Sequence, residues 1–129
     1  MNELNKISHD IIQAAIEVHK ELGPGLLESV YRKCLAELLR EMGYSVEEEL
    51  YLPVTFRGKI IEERGYRIDL LVEDSIIVEV KSVETMKSLF SKQLGTYLNQ
   101  KKKTLGLLIN FNEVLLKNGI KRVVNKFIE

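Results

Sequence analysis

Apolar residues follow a helical spacing along the first third of the chain. From Leu4 to Leu22 they recur at every third or fourth position, which predicts an amphipathic helix. The segment Gly23-Pro24-Gly25 then ends this helix, because glycine tolerates a left-handed cap and proline cannot continue the turn. The same spacing returns from about Leu26 to Met42 and predicts a second helix, which Gly43 closes.

Alternating apolar and β-branched residues predict the strands that follow. The segment from Ser45 to Phe56 alternates but contains Pro53, which favours an edge strand or a bend because proline cannot donate to a ladder. The remaining segments are a turn at 57–59, a β-hairpin at 66–81, a helix at about 85–100, a buried strand at 104–110 and a strand or helix at 120–128. This order predicts a single α/β or α+β domain, residues 1–129, built on one sheet.

The predicted hairpin carries Asp69, Glu79 and Lys81 inside strands that otherwise look buried. Side chains alternate between the faces of a strand, so the register decides whether these charges meet. A three-residue loop at 73–75 places Asp69 opposite Glu79, whereas a two-residue loop would separate them. We predict the three-residue loop, because it collects the charges on one face. In this register Val72 pairs with Ile76, and the other face is an unbroken apolar set: Ile68, Leu70, Val72, Ile76, Val78 and Val80.

Two carboxylates at cross-strand distance repel each other, so the hairpin needs a positive partner. Lys81 lies two residues from Glu79 on the same face and supplies one in a simple ion-pair triad. A divalent cation is the other candidate, since Mg²⁺ prefers one or two carboxylates together with water and phosphate oxygens. Beside Lys81, such a cation would hold a phosphodiester, lower the pKa of an attacking water and stabilise the transition state. The residues alone leave both interpretations open.

Composition limits the class of protein. Apolar residues make up 45% of the chain and charged residues 29%, which is typical of a soluble globular protein. No apolar run approaches the ~18 residues of a membrane span. The first residues also lack the pattern of a signal peptide, so we expect a cytoplasmic protein that does not bind membranes. The single cysteine, Cys34, falls in a helical apolar pattern and is expected to be a small core residue.

The net charge is zero, but its distribution is uneven. Residues 1–64 hold 8 Lys or Arg against 12 Asp or Glu, whereas residues 65–129 hold 11 against 7. Most of the basic excess follows Glu84. A basic C-terminal third is typical of a surface that follows a phosphate backbone, and it is equally typical of a solvated lysine-rich surface. The lysines nearest the predicted third helix are the candidates for nucleic-acid binding: Lys87, Lys92, Lys101, Lys102 and Lys103.

Motifs in the chain resemble those of a known enzyme class. The spacing of Asp69, Glu79 and Lys81 on a hairpin resembles that of the PD-(D/E)XK nuclease superfamily. Ile68 departs from the pattern, because it stands where the name of the superfamily has proline. In the superfamily this position is loose, so the departure leaves the resemblance intact.

A second motif narrows the resemblance. Gly25, Glu28 and Tyr31 in "GLLESVY" resemble the Gly-x-x-Glu-x-x-Tyr signature of the GxxExxY family within that superfamily. The segments "EVHKELGPGLLESVY" and "GLLINFNEVLLKNGIKRVVN" are also similar, so the resemblance extends from about Ile7 to Asn125.

The resemblance implies a fold and a metal site. It implies an α-β-β-β-α-β core, in which the catalytic hairpin occupies the middle of a mixed sheet with helices on both sides. Asp69, Glu79 and Glu28 are then the ligands of Mg²⁺ or Mn²⁺, and these three residues together with Lys81 are the catalytic set. The alternative for Glu28 is a simpler one, since an acidic residue near a helix start is a favourable partner for the helix dipole.

The resemblance also suggests residues that orient the substrate. Gln93 and Tyr97 resemble the Gln-x-x-x-Tyr motif of the exonuclease-like branch, although a packed tyrosine and a satisfied core glutamine are the alternative. Tyr31 of the signature is included with them. His19 precedes the Gly-Pro-Gly loop and so falls near Glu28 in the sequence. A substrate contact and a satisfied helix-end histidine are both open for it.

The function expected from these features is metal-dependent hydrolysis of phosphodiester bonds in DNA or RNA. The alternative is an inactive module with the same fold that binds nucleic acid or a protein partner. All the charged positions that the chemistry needs are filled, which favours the enzyme. The sequence leaves open the substrate strand, endonuclease or exonuclease action and the oligomeric state, a homodimer included.

Overall fold

The computed structural model describes residues 2–125. Its elements are α1 (Asn2–Leu22), α2 (Glu28–Glu41), β1 (Val46–Phe56), β2 (Lys59–Val72), β3 (Ile76–Lys81), α3 (Ser88–Lys101), β4 (Leu105–Asn110), a short 3₁₀ helix (Leu116–Gly119) and β5 (Ile120–Val124). The strands form one mixed sheet in the order β1-β2-β3-β4-β5. The predicted mixed α/β class is confirmed. The α-β-β-β-α-β core runs from α2 to β4, with α1 before it and β5 after it.

The direction of the strands fixes where the ends of α3 lie. The pair β3 and β4 is parallel, whereas the β1–β2, β2–β3 and β4–β5 pairs are antiparallel. A connection between parallel neighbours must run back along the sheet, and α3 provides it. The first turn of α3 therefore lies near Lys81 at the end of β3, and its last turn lies near the start of β4.

The sheet separates two apolar clusters. One lies between the sheet and the helices α1 and α2, and the other lies beneath α3. The prediction that Ile68 shares an apolar face with Leu70 is wrong, because Ile68 packs in the α3 cluster with Leu71. The alternation breaks where Glu49 of β1, with a left-handed backbone (φ 52°), faces Asp69. A residue in that conformation turns the strand locally, so neighbouring side chains change faces.

The predicted hairpin geometry is confirmed. The β2–β3 register pairs Val72 with Ile76, which leaves the three-residue loop at 73–75. Pro53 lies in β1, which is an edge strand, and the β1–β2 register shifts on both sides of Val54. The predicted edge position and irregularity of this segment are therefore both present.

Three predicted boundaries differ from the structure. β2 begins at Lys59 instead of residue 66, because the exposed segment after Gly58 pairs with β1 without burying an apolar face. The helix predicted from about residue 85 begins at Ser88, since Lys87 before it has an extended backbone. The undecided segment at 120–128 is a strand as far as Val124, and its last three residues lie outside the described range.

Two expectations from composition concern the helices. Cys34 is partly buried and packs against the cluster beneath α1 and α2. Within residues 2–125, no helix combines the length and the apolar content that crossing a bilayer requires.

Candidate active site at the β2–β3 hairpin

Asp69 and Glu79 lie where the ladder between β2 and β3 gives way to side-chain hydrogen bonds. The paired residues end at Leu70 and Val78, and the same register places Asp69 opposite Glu79. Here the Val80 N–H donates to Asp69 Oδ2 over 2.8 Å, and the Asp69 N–H donates to Glu79 Oε2, also over 2.8 Å. In a regular ladder backbone carbonyls accept such bonds. The carboxylates therefore take the place of carbonyls, and each is held in a fixed position.

Burial makes this pair of carboxylates electrostatically costly. Asp69 is 5% exposed and Glu79 is 6% exposed. Desolvation, followed by the charge of Asp69, raises the pKa of Glu79 to about 8, against the opposing effects of the Asp69 N–H, Lys81 and Arg67. At neutral pH Glu79 therefore keeps a proton in most molecules unless another cation is present. The positive charges of the surrounding residues therefore compensate the two carboxylates only in part.

The ion pair in this site is formed by Arg67. Its Nη2 atom lies 2.6 Å from Asp69 Oδ1, and its Nη1 atom lies 3.1 Å from Glu49 Oε2. Glu49 in turn pairs with the buried Arg32 at 3.2 Å. Arg67 lies two residues from Asp69, so strand alternation predicts that both side chains share one face. The sequence pattern does not indicate a role for Arg67. Glu49 comes into the site through its left-handed backbone, for which the sequence carries no signal.

Lys81 lies beside the carboxylates without pairing with them. Its Nζ atom sits 4.3 Å from the centre of the Phe90 ring on α3. Within residues 2–125 no salt bridge joins Lys81 to Asp69 or Glu79, so the ion-pair triad considered from the sequence is not formed. Its charge is still close enough to lower the pKa of Glu79. An ammonium held on an aromatic face beside a carboxylate pair is free to donate hydrogen bonds to a bound anion.

Glu28 begins α2 at the same end of the sheet. Glu28 Oε2 accepts a hydrogen bond of 3.3 Å from the N–H of Ser82, the residue after Lys81. Ser82 also donates through Oγ to the Leu26 carbonyl at 2.7 Å, which ties the start of α2 to the end of β3. In the described part of the chain no three His, Cys, Asp or Glu side chains form a metal-sized cluster. Glu28 therefore does not complete a metal-sized cluster with Asp69 and Glu79.

Asn110 supports the site, although the sequence did not predict a role for it. This fully buried residue ends β4 beside Lys81. Its Oδ1 accepts from the Val83 N–H at 3.0 Å, and its Nδ2 donates to the Val83 carbonyl at 2.9 Å. Both polar groups of the amide therefore hold the backbone of Val83, two residues after Lys81. The only sequence signal is an asparagine at the end of an apolar strand.

The comparison with protein families decides the assignment. The family model described as the PD-(D/E)XK nuclease superfamily matches residues 5–123, nearly the whole chain. The chain belongs to the PD-(D/E)XK nuclease superfamily. Members of this superfamily are generally nucleases that use divalent metals such as Mg²⁺, and their substrates are nucleic acids. Comparisons with curated proteins and with solved structures gave no match.

Two of the expected substrate-orienting residues are packed inside this PD-(D/E)XK domain. Tyr31 is fully buried and stacks on Phe111, with ring centres 4.5 Å apart. Its hydroxyl donates to the Gly23 carbonyl and accepts from the Leu26 N–H. Tyr31 therefore holds the loop before Glu28, and any effect on a substrate would be indirect, through the position of that loop. His19 Nε2 donates to the Glu113 carbonyl at 2.7 Å. This is the satisfied helix-end histidine that the sequence left as an alternative.

The other two lie on α3. Gln93 is exposed, which excludes the satisfied core glutamine considered from the sequence. Tyr97 is partly buried and meets the Tyr66 ring edge-on, with centres 5.7 Å apart. Burial and then the charges of Glu79 and Asp69 raise the pKa of Tyr97, so its hydroxyl lies in the field of the carboxylate pair.

The lysines expected to bind phosphates fall into two groups at opposite ends of α3. Lys87 and Lys92 are exposed near its first turns, at the end of the sheet where Lys81 lies. The other three lie at the end of α3, with Lys101 in its last turn and Lys102 and Lys103 after it. Lys103 pairs with Asp74 of the β2–β3 loop at 3.3 Å. Lys92 and Lys101 lie nine residues apart on this helix, which separates the two groups by about 13 Å along its axis. They therefore do not form one continuous patch: Lys87 and Lys92 against Lys101, Lys102 and Lys103.

Proposed function

We propose that this protein is a nuclease dependent on Mg²⁺ or Mn²⁺, and that Asp69 and Glu79 hold the metal. The observation that carries the proposal is the buried carboxylate pair, in which Glu79 keeps its proton because the local positive charge is insufficient. A divalent cation would satisfy this demand at a site built from the ligand type that Mg²⁺ prefers. Membership of the superfamily supplies the reaction class, hydrolysis of phosphodiester bonds.

The carboxylate pair fits such a metal. Each carboxylate uses one oxygen to accept a backbone N–H, which fixes its orientation, so a metal would bind the other oxygen, which in Asp69 pairs with Arg67 in the metal-free protein. When bound, the metal would polarise the phosphoryl group and lower the pKa of the attacking water. Glu28 is proposed as a further ligand through a bridging water, because Ser82 holds it at the same end of the sheet.

Lys81 is proposed as the residue that positions the attacking water. Its ammonium donates hydrogen bonds to the water or to a phosphate oxygen and stabilises the charge that develops in the transition state. The water oxygen forms the new bond to phosphorus and gives up a proton to the solvent, and the ester oxygen of the leaving nucleotide departs with the bonding electrons and takes up a proton from the solvent. The Phe90 ring restrains the Lys81 side chain without consuming any of its donors.

The substrate is proposed to enter along the first turns of α3. Lys87 and Lys92 are exposed there and would bind phosphates near Lys81. Gln93 and Tyr97 lie on the same helix and would orient the scissile nucleotide. Lys101, Lys102 and Lys103 would contact a substrate long enough to follow the whole helix.

Within the superfamily, we assign the chain to the GxxExxY family. The support is the signature itself and the task that its residues share. Gly25 precedes Glu28 in the loop whose backbone Tyr31 holds, and Glu28 is the member that reaches the end of β3. The signature thus describes one structural unit that delivers an acidic side chain to the site.

Cleavage of a mixed panel of labelled single- and double-stranded DNA and RNA tests the function. We expect cleavage with Mg²⁺ or Mn²⁺ that is lost in Asp69→Ala and Lys81→Ala. Glu63→Ala on the exposed part of β2 and Lys20→Ala on α1 are matched controls that should keep activity. If no substrate is cut, or if all four variants cut alike, the nuclease proposal is wrong. A wild type that binds the panel without cutting it would indicate a binding module.

A further inference from the structure

Arg67 occupies the carboxylate oxygen that a metal would use. Asp69 Oδ2 already accepts the Val80 N–H, and Arg67 Nη2 lies 2.6 Å from Oδ1. Both oxygens of Asp69 therefore have a donor in the structure. A divalent cation and a guanidinium at the same oxygen would repel each other at short range in a low-dielectric site. Metal binding and the Arg67–Asp69 pair therefore compete.

A second acidic residue gives Arg67 another place to pair. Arg67 Nη1 lies 3.1 Å from Glu49 Oε2, so the two ends of the guanidinium contact different carboxylates. The Arg67 side chain is 38% exposed, against 8% for Asp69, and it has room to move that its partner lacks. Arg67 can leave Asp69 without losing its other ion pair.

Glu49 is itself held in place. Its Oε1 atom lies 3.2 Å from Nη2 of Arg32, a side chain that is 7% exposed. Its backbone is left-handed (φ 52°), a conformation that costs energy for a residue other than glycine. This conformation faces Asp69 across β1 and β2, and there it directs the Glu49 carboxylate towards Arg67. The structure thus retains an energetically costly backbone at the position where a second carboxylate meets Arg67.

We propose that Arg67 is the resident counter-ion of the metal site, which pairs with Asp69 in the metal-free protein and moves away from it, still bound to Glu49, when a divalent cation binds. The released Nη2 group then becomes available to a phosphate oxygen of the nucleic acid, a partner that guanidinium groups bind well. This inference rests on the proposed function. It adds an order of events, in which the metal binds before the phosphate group can use Arg67.

Mn²⁺ titration without nucleic acid tests the competition, with free Mn²⁺ followed by electron paramagnetic resonance. In Arg67→Gln the competing charge is gone, so we expect the dissociation constant to fall by about tenfold, the equivalent of one charge-assisted hydrogen bond. Arg64→Gln is the matched control, because Arg64 lies on the same strand and stacks on Tyr51 at 4.6 Å. Its affinity should equal that of the wild type. Arg67→Lys, which keeps one charge but cannot reach both carboxylates, should lie between them.

A second readout follows Arg67 directly. In the wild type, the side-chain Nε–H signal of Arg67 is identified by nuclear magnetic resonance as the signal that Arg67→Gln lacks. We expect Mg²⁺ to shift this signal and to leave that of Arg64 unchanged. The counter-ion role is wrong, although the metal site is retained, if Mg²⁺ does not shift the Arg67 signal. It is also wrong if Arg67→Gln binds Mn²⁺ with unchanged or weaker affinity. If neither the wild type nor Arg67→Gln binds Mn²⁺, the proposed metal site fails and the counter-ion role fails with it.

Discussion

Replacing Glu79 with glutamine should change how the metal-free protein responds to pH. In the wild type, Glu79 keeps its proton in the folded state well above the pH at which the unfolded chain loses it. Between these two pH values the unfolded state is favoured by proton release, so stability falls as the pH rises. Glu79→Gln is nearly isosteric with the protonated form and has no proton to release. Its stability should therefore lack this component.

The size of the effect follows from the pKa. Burial and the charge of Asp69 raise the pKa of Glu79 from 4.5 to about 8. At ~1.36 kcal/mol for each unit, ionising Glu79 costs the folded state about 5 kcal/mol relative to the unfolded chain. The folded state therefore has its full stability with respect to Glu79 below pH 4.5, where this residue is protonated in both states. This contribution declines through neutral pH and is lost above pH 8. A loss of this size is a large part of the ~5–15 kcal/mol by which domains are stable.

Urea unfolding in EDTA, followed by circular dichroism from about pH 5 to about pH 8, measures this difference. The free energy of unfolding of the wild type should fall by several kcal/mol more than that of Glu79→Gln across this range. Glu63→Gln is the matched control, because Glu63 is exposed on β2 and should behave as the wild type. Parallel curves for the wild type and Glu79→Gln would refute the account of the buried pair.

Four further substitutions test the site and its support. Lys81→Ala should leave the melting temperature almost unchanged and lower kcat by about 10²–10³, the effect of removing an electrostatic catalytic group; unchanged turnover would exclude Lys81 from the mechanism. Gly106→Ala should destabilise the protein by ~1–3 kcal/mol in urea unfolding, because its Cβ would lie 2.9 Å from a Leu94 methyl group. Gly95→Ala, with open space around it, should instead stabilise α3 by up to ~1 kcal/mol, and equal effects of the two would contradict the packing. Asn110→Ala should cost ~1–3 kcal/mol by the same measurement, because it leaves the partly buried Val83 N–H without its acceptor, and a neutral result would show that the segment after Lys81 does not need it.

The sequence predicted the hairpin well because its constraints agree. Apolar alternation, a loop rich in polar residues and the clustering of charge all select the same register, so Asp69 and Glu79 could be placed opposite each other. The edge position of Pro53 followed from a single missing donor. Such features depend on local chemistry that the residues carry themselves.

The parts that the sequence did not predict depend on tertiary contacts. Arg67 pairs with two carboxylates only because β1 places Glu49 beside it. Glu49 reaches this position through a left-handed backbone that its residue type does not favour. Asn110 acts on Val83 across 27 residues of chain. Ile68 lies on the opposite face from the predicted one because of a tertiary contact as well, since the break in alternation arises where β1 and β2 pair.

The central claim is that Asp69 and Glu79 together hold a divalent metal. Anomalous diffraction at the manganese absorption edge, from crystals soaked in Mn²⁺, tests it most directly. The account predicts an anomalous peak in contact with carboxylate oxygens of both residues, with Arg67 displaced from Asp69, and no such peak in Asp69→Ala. A soaked crystal with no peak between the two carboxylates, or with Mn²⁺ bound only elsewhere, would contradict it.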